Sequence, residues 1–192
     1  MTVPRETSAK LTALKALILD EATRQNLISA ATIPLFETRH IADSRQLLRW
    51  LPEGPLMDIG SGAGLPGLVL ACLRDDPVHL VEPRARRVAF LEQARAALGL
   101  DHVVIHRCKV ERVTLPALAG ITARAVAALP TLFAIAAHLS DEKTRWVLPK
   151  GRSAHAELEE ARRTWQGSFK LVPSETDAEA SIIVAHGVRR RS

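Results

Sequence analysis

A short apolar run, Leu56-Met57-Asp58-Ile59, leads directly into Gly60-Ser61-Gly62-Ala63-Gly64-Leu65-Pro66-Gly67. A strand that ends in spaced glycines and continues as a helix is the mark of a βαβ unit whose first turn cradles a ligand. Glycine allows the tight turn and leaves room for a ligand to approach the backbone. The alternation then repeats. Val78-His79-Leu80-Val81-Glu82 and Val103-Val104-Ile105 are further apolar runs, separated by helix-like segments at 65–74 and 84–98, the second stopped by Gly99. A β-α-β-α-β order calls for a parallel sheet with right-handed crossovers.

More strands are expected at 121–126, 145–148, 168–172 and 181–186, and helices at 129–139 and 154–165. The last two strands lack an intervening helix, so they should form an antiparallel hairpin at one sheet edge. Upstream, Leu11, Leu14, Leu17 and Ile18 recur at helical spacing within 6–30. A second helix is expected from Pro34 to Trp50, before Pro52 and Gly54. The fold class is thus α/β: a Rossmann-like, mostly parallel seven-stranded sheet with an antiparallel C-terminal edge and an N-terminal helical cap. A length of 192 residues fits one domain, with the cap at 1–52 and the core at 53–192.

Hydrophobic residues make up 47% and charged residues 24%, which supports a sizeable core and excludes global disorder. No run approaches the roughly 18 apolar residues of a membrane span. Residues 1–10 carry charge and Pro4 and lack the apolar stretch of a signal peptide, so a cytoplasmic protein is expected. Cys72 and Cys108 have no ligand spacing and read as small buried hydrophobes. The histidines are scattered, so no metal site is expected. Lys and Arg number 26 against 21 acids, a net charge of +5 that permits a nucleic-acid partner without demanding one. Arg189-Arg190-Arg191 reads as a solvated basic end.

Two acids qualify the glycine loop. Glu82 closes the second strand, where a carboxylate can accept both ribose hydroxyl hydrogens of a bound nucleoside. Asp58 sits at the mouth of the loop, and its charge would repel a pyrophosphate. The same charge would attract an ammonium or a sulfonium, and Pro66 removes an amide that a phosphate could use. Both features favour S-adenosylmethionine over a nicotinamide dinucleotide, with Asp58, Gly60, Gly62, Gly64 and Glu82 as the contact set.

Further blocks accompany the loop. These are Asn26-Leu27, Arg39-His40-x-x-Asp43-Ser44, the Gly64-Leu65-Pro66-Gly67 ending, Arg87-x-x-Phe90-Leu91, Val110-Glu111, Arg124-Ala125 and Lys150-Gly151. With them, the stretch from about Asn26 to Lys150 resembles the bacterial 16S ribosomal RNA guanine-N7 methyltransferases, the glucose-inhibited division protein B family. The resemblance implies a class I S-adenosylmethionine-dependent methyltransferase fold. It also implies that Gly60 and Leu65 line the cofactor, that Val110 and Glu111 lie beside its adenine, and that Arg124 belongs to its pocket. The chain departs from the family pattern at Glu82-Pro83, where Asp-Ser is usual, and at Arg86, where Lys is usual. It also has Ala123 where Ser often stands, and it lacks the Trp-Asn pair before Asn26.

Guanine N7 carries a lone pair and no proton, so no general base is expected. Asp43 is a candidate anion for the positive charge that spreads onto the base. Arg suits guanine O6, and Arg124 and Lys150, at the ends of the fourth and fifth strands, are placed to reach it. Without the resemblance, Arg124 reads as a surface ion pair, Asp43 as a helix-surface charge, Glu111 as an exposed partner of Arg107 or Lys109, and Lys150 as a strand exit. Arg84, Arg86, Arg87 and Arg95 read as a solvated helix face or part of an RNA footprint. The expected partner is 16S rRNA or the small ribosomal subunit, met by a monomer. The alternatives are a methyltransferase for a protein or small molecule, a dinucleotide-binding module, and an assembly factor without catalysis.

Overall fold

The computed structural model describes residues 4–191. Strands β1 (Leu56–Ile59), β2 (Val78–Val81), β3 (Val103–His106), β4 (Gly120–Ala123), β5 (Arg145–Lys150), β6 (Trp165–Pro173) and β7 (Ser181–Arg190) form one sheet in the order β3-β2-β1-β4-β5-β7-β6. The first five strands pair in parallel. β7 runs antiparallel to both β5 and β6. β1 lies between β2 and β4, so the chain reverses its direction of travel across the sheet there. Open α/β sheets bind ligands beyond the carboxyl ends of the strands at such a switch point.

Helices α1 (Arg5–Ala22), α2 (Asp43–Arg45), α3 (Gly67–Ala71), α4 (Ala85–Ala97), α5 (Leu129–Ala136) and α6 (Ala154–Thr164) complete the chain with several 3-10 turns. Every residue of β1 is buried, because helices cover both faces of the sheet. Alternation splits the strand between two cores. Leu56 joins Leu80, Leu68, Phe90 and Leu91 on one face. Met57 and Ile59 join Ile121, Phe133 and Trp146 on the other. Leu14, Ile18, Phe36 and Leu47 lie in the first cluster, so the N-terminal helical segment shares the core of the sheet.

The segment boundaries differ from the sequence expectation in several places. α1 ends at Ala22 rather than near residue 30, because its apolar stripe gives way to the polar run Thr23, Arg24, Gln25 and Asn26. A 3-10 helix, Ala30–Leu35, follows. The expected regular helix over 34–50 is a π-helical stretch, Glu37–Ala42, then α2, then a 3-10 turn, Gln46–Arg49. Within it the Ser44 hydroxyl donates to the His40 carbonyl at 2.6 Å, a side-chain insertion that competes with the regular ladder. β4 stops at Ala123 instead of Val126, because Ala125 adopts a left-handed φ of 55° that ends the extended run. α3 starts at Gly67, later than residue 65, because Gly64 to Pro66 are still in the turn. Arg189 and Arg190 finish β7 and are exposed, as a solvated basic end requires. Cys72 is buried as expected, but Cys108 is only half-buried, at the rim of the second core.

Candidate functional site

The glycine loop is pinned to the end of β2. The amides of Gly60 and Ser61 both donate to the Val81 carbonyl, at 2.8 and 3.1 Å. Glu82, the next residue, is 2% exposed. Its Oε2 accepts from the Gly62 amide at 3.1 Å and its Oε1 from the Arg84 amide at 2.9 Å. Arg87 Nη1 stands 3.8 Å from Oε2. A carboxylate offers about four lone-pair sites, so both oxygens retain capacity for a hydroxyl pair. A Cβ on Gly62 would meet Arg87 Nη1 at 3.5 Å and the Gly60 carbonyl at 3.7 Å, which are ordinary contacts; what favours glycine there is its left-handed φ of 53°. Gly60 has a left-handed φ of 69°, and a Cβ on it would come within 2.6 Å of Val126 Cγ2.

Asp58 is 1% exposed. Its Oδ2 accepts from the Gly67 amide at 3.1 Å, while its Oδ1 is buried without a partner. Burial pushes its pKa up to about 7, against the opposing pull of Ser61, the Gly67 amide and Arg124. A buried carboxyl with one oxygen unpartnered, under a glycine turn and beside an acceptor for a diol, fits a nucleoside that carries a cation. The residues present therefore fit S-adenosylmethionine.

Leu65 is buried with the loop. Val110, in a turn after β3, packs in the same core as Ile59 and Val81, whereas Glu111 beside it is exposed.

Beyond the loop, a cleft of about 390 Å³ opens between three walls. Arg39, His40, Asp43 and Gln46 form the first, Arg124 and Lys150 the second, and Ser174, Asp177 and Ser181 the third. Arg124 leaves β4, whose Ala123 is paired with Ile59 of β1, so this cleft borders the glycine loop. Its Nη1 lies 3.5 Å from Asp43 Oδ2 and donates to the Arg39 carbonyl at 3.3 Å. Burial lowers the Arg124 pKa, and Asp43 and Asp58 oppose that shift. Arginine stays charged at any ordinary pH under such a balance.

Asp43 Oδ1 accepts from Gln46 Nε2 and from the Thr176 hydroxyl, both at 2.8 Å. Arg39 is ion-paired with Asp177. His40 is buried, with Nε2 3.0 Å from the Thr32 hydroxyl. Burial first, then the charge of Arg124, pushes its pKa down to about 4, so it is neutral at pH 7.

Lys150 lines the cleft with most of its donors engaged. Its ammonium donates to the Ala127 carbonyl and pairs with Glu157, both at 2.8 Å. It ties the 124–128 segment to α6 and has little freedom to reach a distant acceptor. The sequence reading missed Gln46, Thr176, Asp177 and Glu157. The polar run Ser174-Glu175-Thr176-Asp177 was visible, but only as turn material between two strands. Among the described residues no three His, Cys, Asp or Glu side chains converge as a metal site, and no helix is long and apolar enough to cross a membrane.

A glycopeptide N-methyltransferase crystallised with S-adenosylmethionine superposes with a TM-score of 0.64 at 11% identity, covering 76% of this chain and 86% of that one. A methyltransferase from Aquifex aeolicus, described as S-adenosylmethionine-dependent, gives 0.60 at 12% identity, over 81% and 93%. At such identities the likeness establishes the fold. Sequence comparison goes further. The ribosomal RNA small subunit methyltransferase G of Rhizorhabdus wittichii is 46% identical across 98% of this chain and 89% of its own length. The protein of the same name from Sphingopyxis alaskensis is also 46% identical, across 93% and 78%. The family model for GidB, rRNA small subunit methyltransferase G, matches residues 7–180. On a fold shared with S-adenosylmethionine-dependent methyltransferases, this chain belongs to the rRNA small subunit methyltransferase G family.

Proposed function

We propose that the protein transfers a methyl group from S-adenosylmethionine to N7 of one guanine in 16S rRNA. The observation that carries this reading is the juxtaposition of two sites. The loop with Asp58 and Glu82 suits a cationic nucleoside, and it adjoins a polar cleft with Arg124 and Asp43 on its walls.

When bound, S-adenosylmethionine supplies an electrophilic methyl carbon. The protein's part is chiefly to hold nucleophile and donor close and in line. Glu82 would hold the ribose hydroxyls, Asp58 the cationic side, and Gly60, Gly62, Gly64 and Leu65 the passage of the chain around them. Val110 and Glu111 are the proposed adenine neighbours. In the cleft, Arg124 is the donor suited to guanine O6, with Lys150 bracing the segment behind it. Asp43 offsets the positive charge that develops on the base. No proton has to leave N7, so neutral His40 and the carboxylates are not needed as bases. A base inside a helix must be turned out to reach such a pocket, and the cleft lies within the roughly 300–1,000 Å³ of ordinary ligand sites.

The excess charge of only +5 favours folded RNA or the assembled small subunit over naked RNA as substrate. The same reading places the protein in the cytoplasm as a metal-independent monomer. It works as one domain, in which the N-terminal cap supplies a wall of the cleft through Arg39, His40, Asp43 and Gln46. Calorimetric titration tests the cofactor half: saturable binding of S-adenosylmethionine with none of NAD is expected, and the reverse result would return the chain to the dinucleotide-binding modules. Methyl transfer to purified small subunits tests the substrate half.

A further inference from the structure

We propose that Gln46 is a positioning residue for this reaction, holding Asp43 against Arg124 and coupling both to the loop between β6 and β7. The inference rests on the reading of the cleft as the base site.

Gln46 is half-buried in the 3-10 turn that follows α2, three residues after Asp43. Its amide is oriented by partners at both ends. The Oε1 accepts from the Glu175 amide at 2.8 Å, a role only an oxygen can fill. The Nε2 donates to Asp43 Oδ1 at 2.8 Å and lies 3.1 and 3.2 Å from the hydroxyls of Ser174 and Thr176. Thr176 adds a second donor to Asp43 Oδ1. With Oδ1 fixed by two donors, Oδ2 is left turned toward Arg124 at 3.5 Å. A continuous chain of polar contacts thus runs from the 174–176 backbone through Gln46 and Asp43 to the guanidinium. Nothing else on the N-terminal segment donates to the Asp43 carboxylate among the described residues. Removing the amide frees Asp43 to rotate and lets the hairpin loop drift from the cleft.

Replacing the amide by a carboxyl gives a signature that loss of packing does not. In Gln46→Glu one oxygen still accepts from Glu175, and the other meets the Asp43 carboxylate. Two carboxyls at hydrogen-bond distance share a proton, which raises the apparent pKa of the pair. Other charges face this point. Arg124 faces Asp43, Arg39 on the same wall is paired with Asp177, and Arg49 is paired with Glu175, while His40 is neutral. With the proton present, the new O–H donates to Asp43 as the amide does. Once it is lost, repulsion drives the two side chains apart.

The experiment measures kcat/KM for methylation of small subunits lacking the modification, with wild type, Gln46→Ala and Gln46→Glu, from about pH 5.5 to pH 8.5. Each value is taken relative to wild type at the same pH, alongside thermal unfolding of all three proteins. Gln46→Ala should be reduced about tenfold to a hundredfold at every pH, the scale of a displaced positioning group. Gln46→Glu should approach wild type at the acid end and fall to the alanine level as pH rises, with a Tm close to that of wild type. The proposal is overturned if Gln46→Ala stays within twofold of wild type, or if Gln46→Glu tracks Gln46→Ala at every pH. A wild-type protein that methylates no subunit would instead overturn the reading of the cleft itself.

Discussion

Arg124 and Asp43 come from segments far apart in the chain and meet in the cleft, guanidinium Nη1 3.5 Å from carboxylate Oδ2. Arg124 is also held by the Arg39 carbonyl, so its direction is set from two sides. Arg124→Ala should lower kcat/KM by well over tenfold, as expected for losing an interaction made to reacting groups. Arg124→Lys should recover little, because an ammonium cannot reproduce the planar fork. Steady-state kinetics with small subunits checks both. Full activity in the alanine variant would reduce Arg124 to a structural ion pair.

Gly60→Asp should abolish S-adenosylmethionine binding. The left-handed φ of 69° disfavours any side chain, and the new Cβ would crowd Val126. Calorimetric titration reads the affinity, with circular dichroism to show that the sheet is intact. Wild-type affinity in a folded variant would detach the loop from the cofactor.

The pKa of Asp58, raised to about 7 by burial, has two consequences. The unfolded chain gives up this proton near pH ~3.9, while the folded protein keeps it to about 7. The contribution of Asp58 to stability is therefore present below the unfolded value and is lost as pH rises through the folded one. In thermal unfolding, Asp58→Asn should lose less Tm between about pH 5 and pH 8 than wild type does. A bound cation would favour the ionised carboxyl, so S-adenosylmethionine affinity should rise with pH through about 7 and binding should release protons. Titration in buffers of different ionisation enthalpy reads that release. Parallel unfolding curves and no proton release would contradict the assignment.

Lys150 joins β5 to α6 through Glu157 and to Ala127 through its carbonyl. Lys150→Met should destabilise the fold by about 1–3 kcal/mol, because Glu157 is left half-buried without its cation. Chemical denaturation measures this. The loss of turnover should be smaller than for Arg124→Ala, and the opposite ranking would make Lys150 a direct participant.

Association with RNA should weaken as salt is added, because phosphate contacts release counterions. Binding to small subunits measured across a salt series checks this, and salt-independent binding would point to a protein or small-molecule substrate.

The parts of the fold that were legible in the sequence are those set by local pattern. The Asp58-to-Gly67 loop, the strand leading into Glu82 and the hairpin edge are all short-range signals, and each has its counterpart in the fold. Where conformation departs from residue propensity, the sequence is silent. Ala125 takes a left-handed φ that no alanine advertises, so the fourth strand ends sooner than its apolar run suggests. Periodicity does not register the π and 3-10 windings over residues 37–49, nor the Ser44 hydroxyl bonded to the His40 carbonyl between them. The cleft is hidden for a different reason. Gln46 and Thr176 are separated by 130 positions, and only the folded sheet brings them to the same carboxylate.

The most direct measurement is transfer of labelled methyl from S-adenosylmethionine to small ribosomal subunits that lack this modification, with the product nucleosides resolved by mass spectrometry. The account predicts label in 7-methylguanosine from a single 16S site. Cofactor binding without label in RNA, or label in another nucleoside, would contradict it.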